Sequence, residues 1–295
     1  MSFLKIGVNN YNKEFLDDLS KNLNKLSEVK CSINEYDMDE FSFITYTFVN
    51  ETKDGRKLYG EDKTCKIQVS KLLTDLIIKN YEEKLVKKII YINYRYFNIN
   101  ERKDILDSTI QLLKREENDF LGCIYKIRRR NLILKQLIDY FSNWDNIIID
   151  GFIKFRLKDY VNDLEELVEQ AVEDFLANRE YKEFLSLLKY FVEIQESKVN
   201  TIHIIPSVDG NHTLIDEVGD NIITKYFSDI NLELFRFEEN DKDMLISTLI
   251  TMAPKTIVIH NNEFYHEDEI YDTISSVFSG RCSFCGSCDI CKTNQ

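Results

Sequence analysis

Hydrophobic positions change their spacing twice along the chain, and the two changes mark out three stretches. Phe3 to Val8 predicts a short strand, after which Phe15, Leu16, Leu19, Leu23 and Leu26 recur at helical spacing. A second strand is expected from Val29, and Phe41 to Val49, rich in β-branched and aromatic residues, predicts a third. A loop at 53–62 with Gly55 and Gly60 is expected to close this small N-terminal α/β unit, residues 1–62.

From Cys65 the period becomes helical. Val69, Leu72, Leu73, Leu76, Ile77, Tyr81, Leu85 and Ile89 form one apolar stripe, as a long amphipathic helix requires. Shorter stripes follow at Ile105, Ile110 and Leu113, then at Ile124, Ile127, Leu134, Leu137, Ile138 and Phe141. Another runs through Leu157, Val161, Leu164, Val168, Ala171, Val172 and Phe175. Asn178 is expected to cap a further helix whose Tyr181, Phe184, Leu188, Phe191 and Val192 face inward. Residues 63–198 therefore predict a central helical bundle.

The last stretch, residues 199–295, returns to short β-rich runs. Thr201 to Ile205 and His212 to Ile215 flank the turn residues Asp209, Gly210 and Asn211, which predicts a hairpin. Leu232 to Phe237 and Thr256 to His260 predict strands, with helices at about Asp243 to Met252 and Glu267 to Phe278, the latter ended by Gly280. The expected fold class is α+β and helix-rich: a bundle flanked by an N-terminal α/β unit and a C-terminal α/β unit with a cysteine-rich tail.

Composition narrows the function classes. Among 295 residues there are only nine Gly and two Pro, too few for a turn-rich sandwich or barrel. A formal charge of -13 works against general attraction to nucleic acid or anionic lipid. The first residues lack the apolar run of a signal peptide, and no stretch approaches the roughly 20 apolar residues of a membrane span. A cytoplasmic protein without an integral membrane segment is expected.

The strongest chemical signal is at the C-terminus, where Cys282, Cys285, Cys288 and Cys291 stand at three-residue intervals. Thiolates so spaced can converge on one soft cation, and Gly286 after the second cysteine suits a knuckle-like turn. Zinc is the first candidate cofactor. The two pairs lie closer in sequence than in a zinc ribbon, so pairs from two chains, or an iron-sulfur cluster, are alternatives. Lys292 stands where the ferredoxin run would continue, which weakens the cluster reading. Reduced thiols or disulfides without metal are the bland alternative. Four protein ligands leave no position for water, so a structural role is expected in preference to catalysis.

Other signals are weaker. His203, His260 and His266, with Glu263 to Glu269, could be assembled into a His/Glu metal site, but histidines at strand ends commonly serve local hydrogen bonds. Cys31, Cys65 and Cys123 sit near apolar patterns and are expected to be buried thiols. Arg128, Arg129 and Arg130, with Arg156, are the densest positive region and carry a nucleic-acid alternative, yet consecutive arginines splay around a helix and more often pair with carboxylates. Gly55 to Gly60 has P-loop glycine spacing, but Glu61 and Asp62 would repel phosphate.

Several stretches carry a resemblance: Asp150 to Tyr160 with Glu165 to Phe175, Glu180 to Phe184, Lys189 to Val192, His203 to Ile205, Leu249 to His260, and the cysteine tail. Together, from about residue 150 onward, they resemble the YtxC-like family of sporulation proteins. The resemblance implies a cytoplasmic protein of an endospore-forming bacterium with a connection to sporulation. It supplies no catalytic motif, so no active-site residue follows from it. The expected function is a non-enzymatic, metal-stabilised interaction protein with a protein partner and room for homo-oligomerisation. A redox or iron-sulfur protein is the alternative.

Overall fold

A computed structural model describes residues 2–24, 31–48, 61–115, 120–206, 212–226, 241–260 and 269–285, with Cys288 and Cys291. Of the expected loop at 53–62, residues 53–60 lie outside the described residues, as do the turn at 209–211, the strand at 232–237 and His266; Glu61 and Asp62 belong instead to the first turn of a helix, where acidic residues are favoured. The chain divides into two compact units, Met1–Leu176 and Ala177–Gln295.

The first unit opens with β1 (Ser2–Asn9), a 3-10 turn, and α1 (Lys13–Leu23), followed by the hairpin strands β2 (Cys31–Met38) and β3 (Phe41–Phe48). Four helices come next: α2 (Glu61–Asn93), α3 (Ile99–Arg115), α4 (Phe120–Asn143) and, after the short strand β4 (Asn146–Ile148), α5 (Ile149–Arg156). The sheet order is β2-β3-β1-β4, with β4 parallel to β1 and Ile147 beside Ile6. Alternation along β1 puts Leu4, Ile6 and Val8 on the core side, where they join the α2 stripe in one apolar cluster.

Helix α6 (Lys158–Ile194) contributes to both units. The expected cap at Asn178 does not form, because nothing nearby breaks the helix and a single interior Asn costs less than about 1 kcal/mol. Val192 is buried as expected, whereas Tyr181, Phe184 and Phe191 are exposed. On α4, Ile124 and Ile127 are likewise exposed; the buried apolar positions among the described residues are Ile133, Leu137 and Phe141.

The second unit holds the antiparallel pair β5 (Thr201–Pro206) and β6 (His212–Asp216), then α7 (Ile222–Tyr226) and α8 (Asp241–Met252). It ends with β7 (Thr256–His260), α9 (Glu269–Val277) and β8 (Cys282–Cys285). The order β6-β5-β7-β8 makes the last three strands parallel. Ile202 and Ile204 of β5 and Ile257 and Ile259 of β7 share one apolar face with Leu249 of α8 and Ile274 of α9. Gly280, at φ 79°, takes the left-handed conformation that lets the chain leave α9 and enter β8. The architecture is α+β and helix-rich, with small sheets near each end of the chain.

Candidate metal centre

Parallel strands present their carboxyl ends together, the usual place for a site in such sheets. His260 is the last residue of β7, Cys285 is the last residue of β8, and the register sets them side by side. Because side chains alternate along a strand, Ile257 and Ile259 face the core while His260 faces the opposite side. The same alternation separates Cys282 from Cys285, since residues three apart on a strand lie on opposite faces. Cys282 is paired with Ile257 and belongs to the core side. Its Sγ lies 3.7 Å from the Phe278 carbonyl and 3.8 Å from that of Ile274, and burial pushes its thiol up to about 11.

The remaining three cysteines gather on His260. His260 Nδ1 lies 3.3 Å from Cys288 Sγ and 3.4 Å from Cys291 Sγ. The sulfurs of Cys288 and Cys291 are 3.6 Å apart, and those of Cys291 and Cys285 are 4.0 Å apart. All four donor atoms fall within 4.8 Å of one another, and His260 and Cys291 are each only 2% exposed. This group of one imidazole nitrogen and three sulfurs can hold a metal ion.

Behind the imidazole stands a second histidine. His203 of β5 brings Nδ1 to 2.9 Å from His260 Nε2. Burial, and then the neighbouring His203, lower the pKa of His260 below its ordinary value, so the neutral ring suited to metal ligation is favoured.

Of the expected ligands, the structure thus brings Cys285, Cys288 and Cys291 together and places Cys282 elsewhere. His260 is the member that cysteine spacing does not reveal. Its signal was a histidine ending a β-rich run, which gains meaning only once β7 and β8 are paired in register.

The arginine cluster has a different use. Arg128 reaches Asp163 at 3.0 Å, and Arg130 meets both oxygens of Asp75 at 2.8 and 3.2 Å. Arg129, 6% exposed, lies 3.2 Å from the Glu82 carboxylate, which also accepts from the Tyr160 hydroxyl. Arg156 sits 6.0 Å from the Tyr140 ring. Among the other cysteines, Cys65 is half-buried against the core, whereas Cys123 is exposed, because it lies in the first turns of α4 with Ile124 and Ile127, before that helix meets the core. The side chain of Cys31 lies outside the described residues. No described helix is long and apolar enough to cross a membrane.

Comparison with known proteins agrees with the resemblance seen in the sequence. A family model, the YtxC-like family, matches residues 67–283. The uncharacterized protein YtxC of Bacillus subtilis (strain 168) is 24% identical over 233 residues, covering 77% of this chain and 80% of that protein. No solved structure matches. With its match spanning most of the chain, from the first turns of α2 into β8, this protein belongs to the YtxC-like family.

Proposed function

We propose that this protein is a non-enzymatic interaction protein whose C-terminal unit is fastened by one zinc ion, held by His260, Cys285, Cys288 and Cys291. The observation that carries the reading is the spacing of the donors. A tetrahedral zinc with ordinary bond lengths requires about 3.8 Å between sulfurs and about 3.6 Å between sulfur and nitrogen. The distances here are 3.6 and 4.0 Å between sulfurs and 3.3 and 3.4 Å to the imidazole nitrogen. An iron-sulfur cluster would seat its ligands on separate irons and spread them further, so a single ion is favoured. Four protein donors close the coordination sphere and leave no place for a reacting water, which supports a structural role.

Sporulation is the proposed setting and the cytoplasm the proposed compartment, both on the strength of the family resemblance. A protein partner is preferred to nucleic acid, because Arg128, Arg129 and Arg130 each face a carboxylate of this chain.

The test is elemental analysis and absorbance of protein purified without air or chelator. One zinc per chain and a colourless preparation are expected. Cys285→Ser and His260→Ala should lose the metal and Cys282→Ser should keep it. Loss in Cys282→Ser with retention in His260→Ala would instead support the four-cysteine set. Absence of any transition element, with all tail thiols alkylated together, would refute metal binding altogether.

A further inference from the structure

A cavity of about 710 Å³ lies within the Met1–Leu176 unit, walled by α2, α5 and α6. Its size is that of a small-molecule site, for which roughly 300 to 1,000 Å³ is usual. Leu85, Ile89, Ile153 and Val161 give it an apolar lining, and four lysines, Lys84, Lys88, Lys154 and Lys158, stand around that lining.

The lysines are arranged against electrostatic economy. Lys84 and Lys88 are four residues apart on α2, and Lys154 and Lys158 are four apart across the junction of α5 and α6. Like charges at that spacing on one continuous helix repel, as Lys84 and Lys88 do on α2; Lys154 and Lys158 are separated by the non-helical Leu157. Some lysines of this acidic protein meet carboxylates: Lys13 meets Asp37, Lys66 meets Asp145 and Lys79 meets Asp18. Among the described residues none of the four cavity lysines makes an ion pair; Lys84 donates instead to the neutral Asn12 Oδ1 at 2.8 Å.

Two carboxylates also line the space, Asp150 and Glu165. Asp150 is committed to the scaffold. It accepts from the Asn9 backbone N–H at 2.8 Å, from Asn12 Nδ2 at 2.9 Å and from the Tyr81 hydroxyl at 3.2 Å. Four ammonium groups and two carboxylates therefore face a partly apolar cavity, a local excess of two positive charges in a chain of net charge -13.

We infer that this cavity binds an organic phosphate, its anionic group held by Lys84, Lys88, Lys154 and Lys158 and its carbon body resting on Ile89, Ile153 and Val161. A multiply charged phosphate suits four compact ammonium groups better than a single carboxylate would. The apolar lining adds affinity that an inorganic anion cannot collect.

The full-length, metal-loaded protein is titrated with trinitrophenyl-ATP at low salt, following probe fluorescence. A saturable rise is expected, reversed by inorganic triphosphate but not by laurate. The Lys88→Glu/Lys158→Glu double variant should weaken binding by at least about tenfold, while Lys87→Glu, on the same helix but outside the cavity, should change it less than about twofold. Ile92→Trp, at an exposed position on the cavity rim, should also weaken binding without altering charge. No saturable binding, equal losses in the cavity and control variants, or displacement by laurate as effective as by triphosphate would overturn the inference. Thermal unfolding of each variant, matching the unaltered protein, establishes that the losses belong to the cavity.

Discussion

Replacing His203 by Phe isolates what the second histidine contributes to the metal group. His260 turns Nδ1 toward the sulfurs, so with a metal bound there its hydrogen resides on Nε2 and is donated to His203 Nδ1 across 2.9 Å. Phenylalanine fills a similar shape and removes the acceptor. A buried donor left without a partner costs about 1 to 3 kcal/mol, and His260 is 2% exposed, so water does not readily replace the lost bond. That cost corresponds to a roughly 5- to 150-fold loss of zinc affinity, in agreement with the 10- to 100-fold typical of groups that orient a ligand. Affinity is measured by competition with a chromophoric zinc chelator at fixed pH. A loss below about threefold would refute the proposed tautomer and the supporting role of His203. A loss as complete as in Cys285→Ser would show that His203 is not a mere orienting group.

Two further outcomes test the rest of the fold. Glu82→Ala removes one carboxylate partner of the buried Arg129 guanidinium, which also faces the charge of Asp163, and takes the acceptor from the Tyr160 hydroxyl; it should cost about 1 to 3 kcal/mol in urea unfolding, whereas Glu82→Met with Arg129→Met should restore most of that, and a single-variant cost under about 0.5 kcal/mol would contradict the assignment. The Asp216 carboxyl is held down to about 2 by the Lys225 ammonium and then by the backbone N–H groups of Asp220 and Val218. Its unfolded counterpart titrates near 3.9, so its contribution is complete above roughly pH 4 and fades as the pH falls toward 2; Asp216→Asn should flatten the stability profile across that window, measured by thermal unfolding at stepped pH.

Much of the architecture was legible from periodicity because long apolar stripes, such as Val69 to Ile89, report burial directly. Failures came where one helix changes environment along its length. Helix α6 carries Leu164 and Val168 into one core and Val192 into another, and an apparent break at Asn178 was only a polar residue within a continuous helix. The cysteine spacing likewise identified a thiol cluster without its membership. Three-residue intervals suggest one convergent loop, but Cys282 and Cys285 lie on a strand, where that interval separates faces. His260 entered through the pairing of β7 with β8, strands joined through α9, and no local spacing reports such a pairing. The ion pairs of Arg128, Arg129 and Arg130 also depended on neighbours brought in by tertiary packing.

The parallel pairing of β1 with β4 links two strands about 140 positions apart in the chain. On a ribosome adding about 5 to 20 residues per second, β1 waits some 7 to 28 seconds before that neighbour leaves the tunnel. During this interval β1 has an open flank, and α2, α3 and α4 must emerge before it can be covered. Vectorial synthesis thus makes β1 an early platform of this sheet and β4 its late closure.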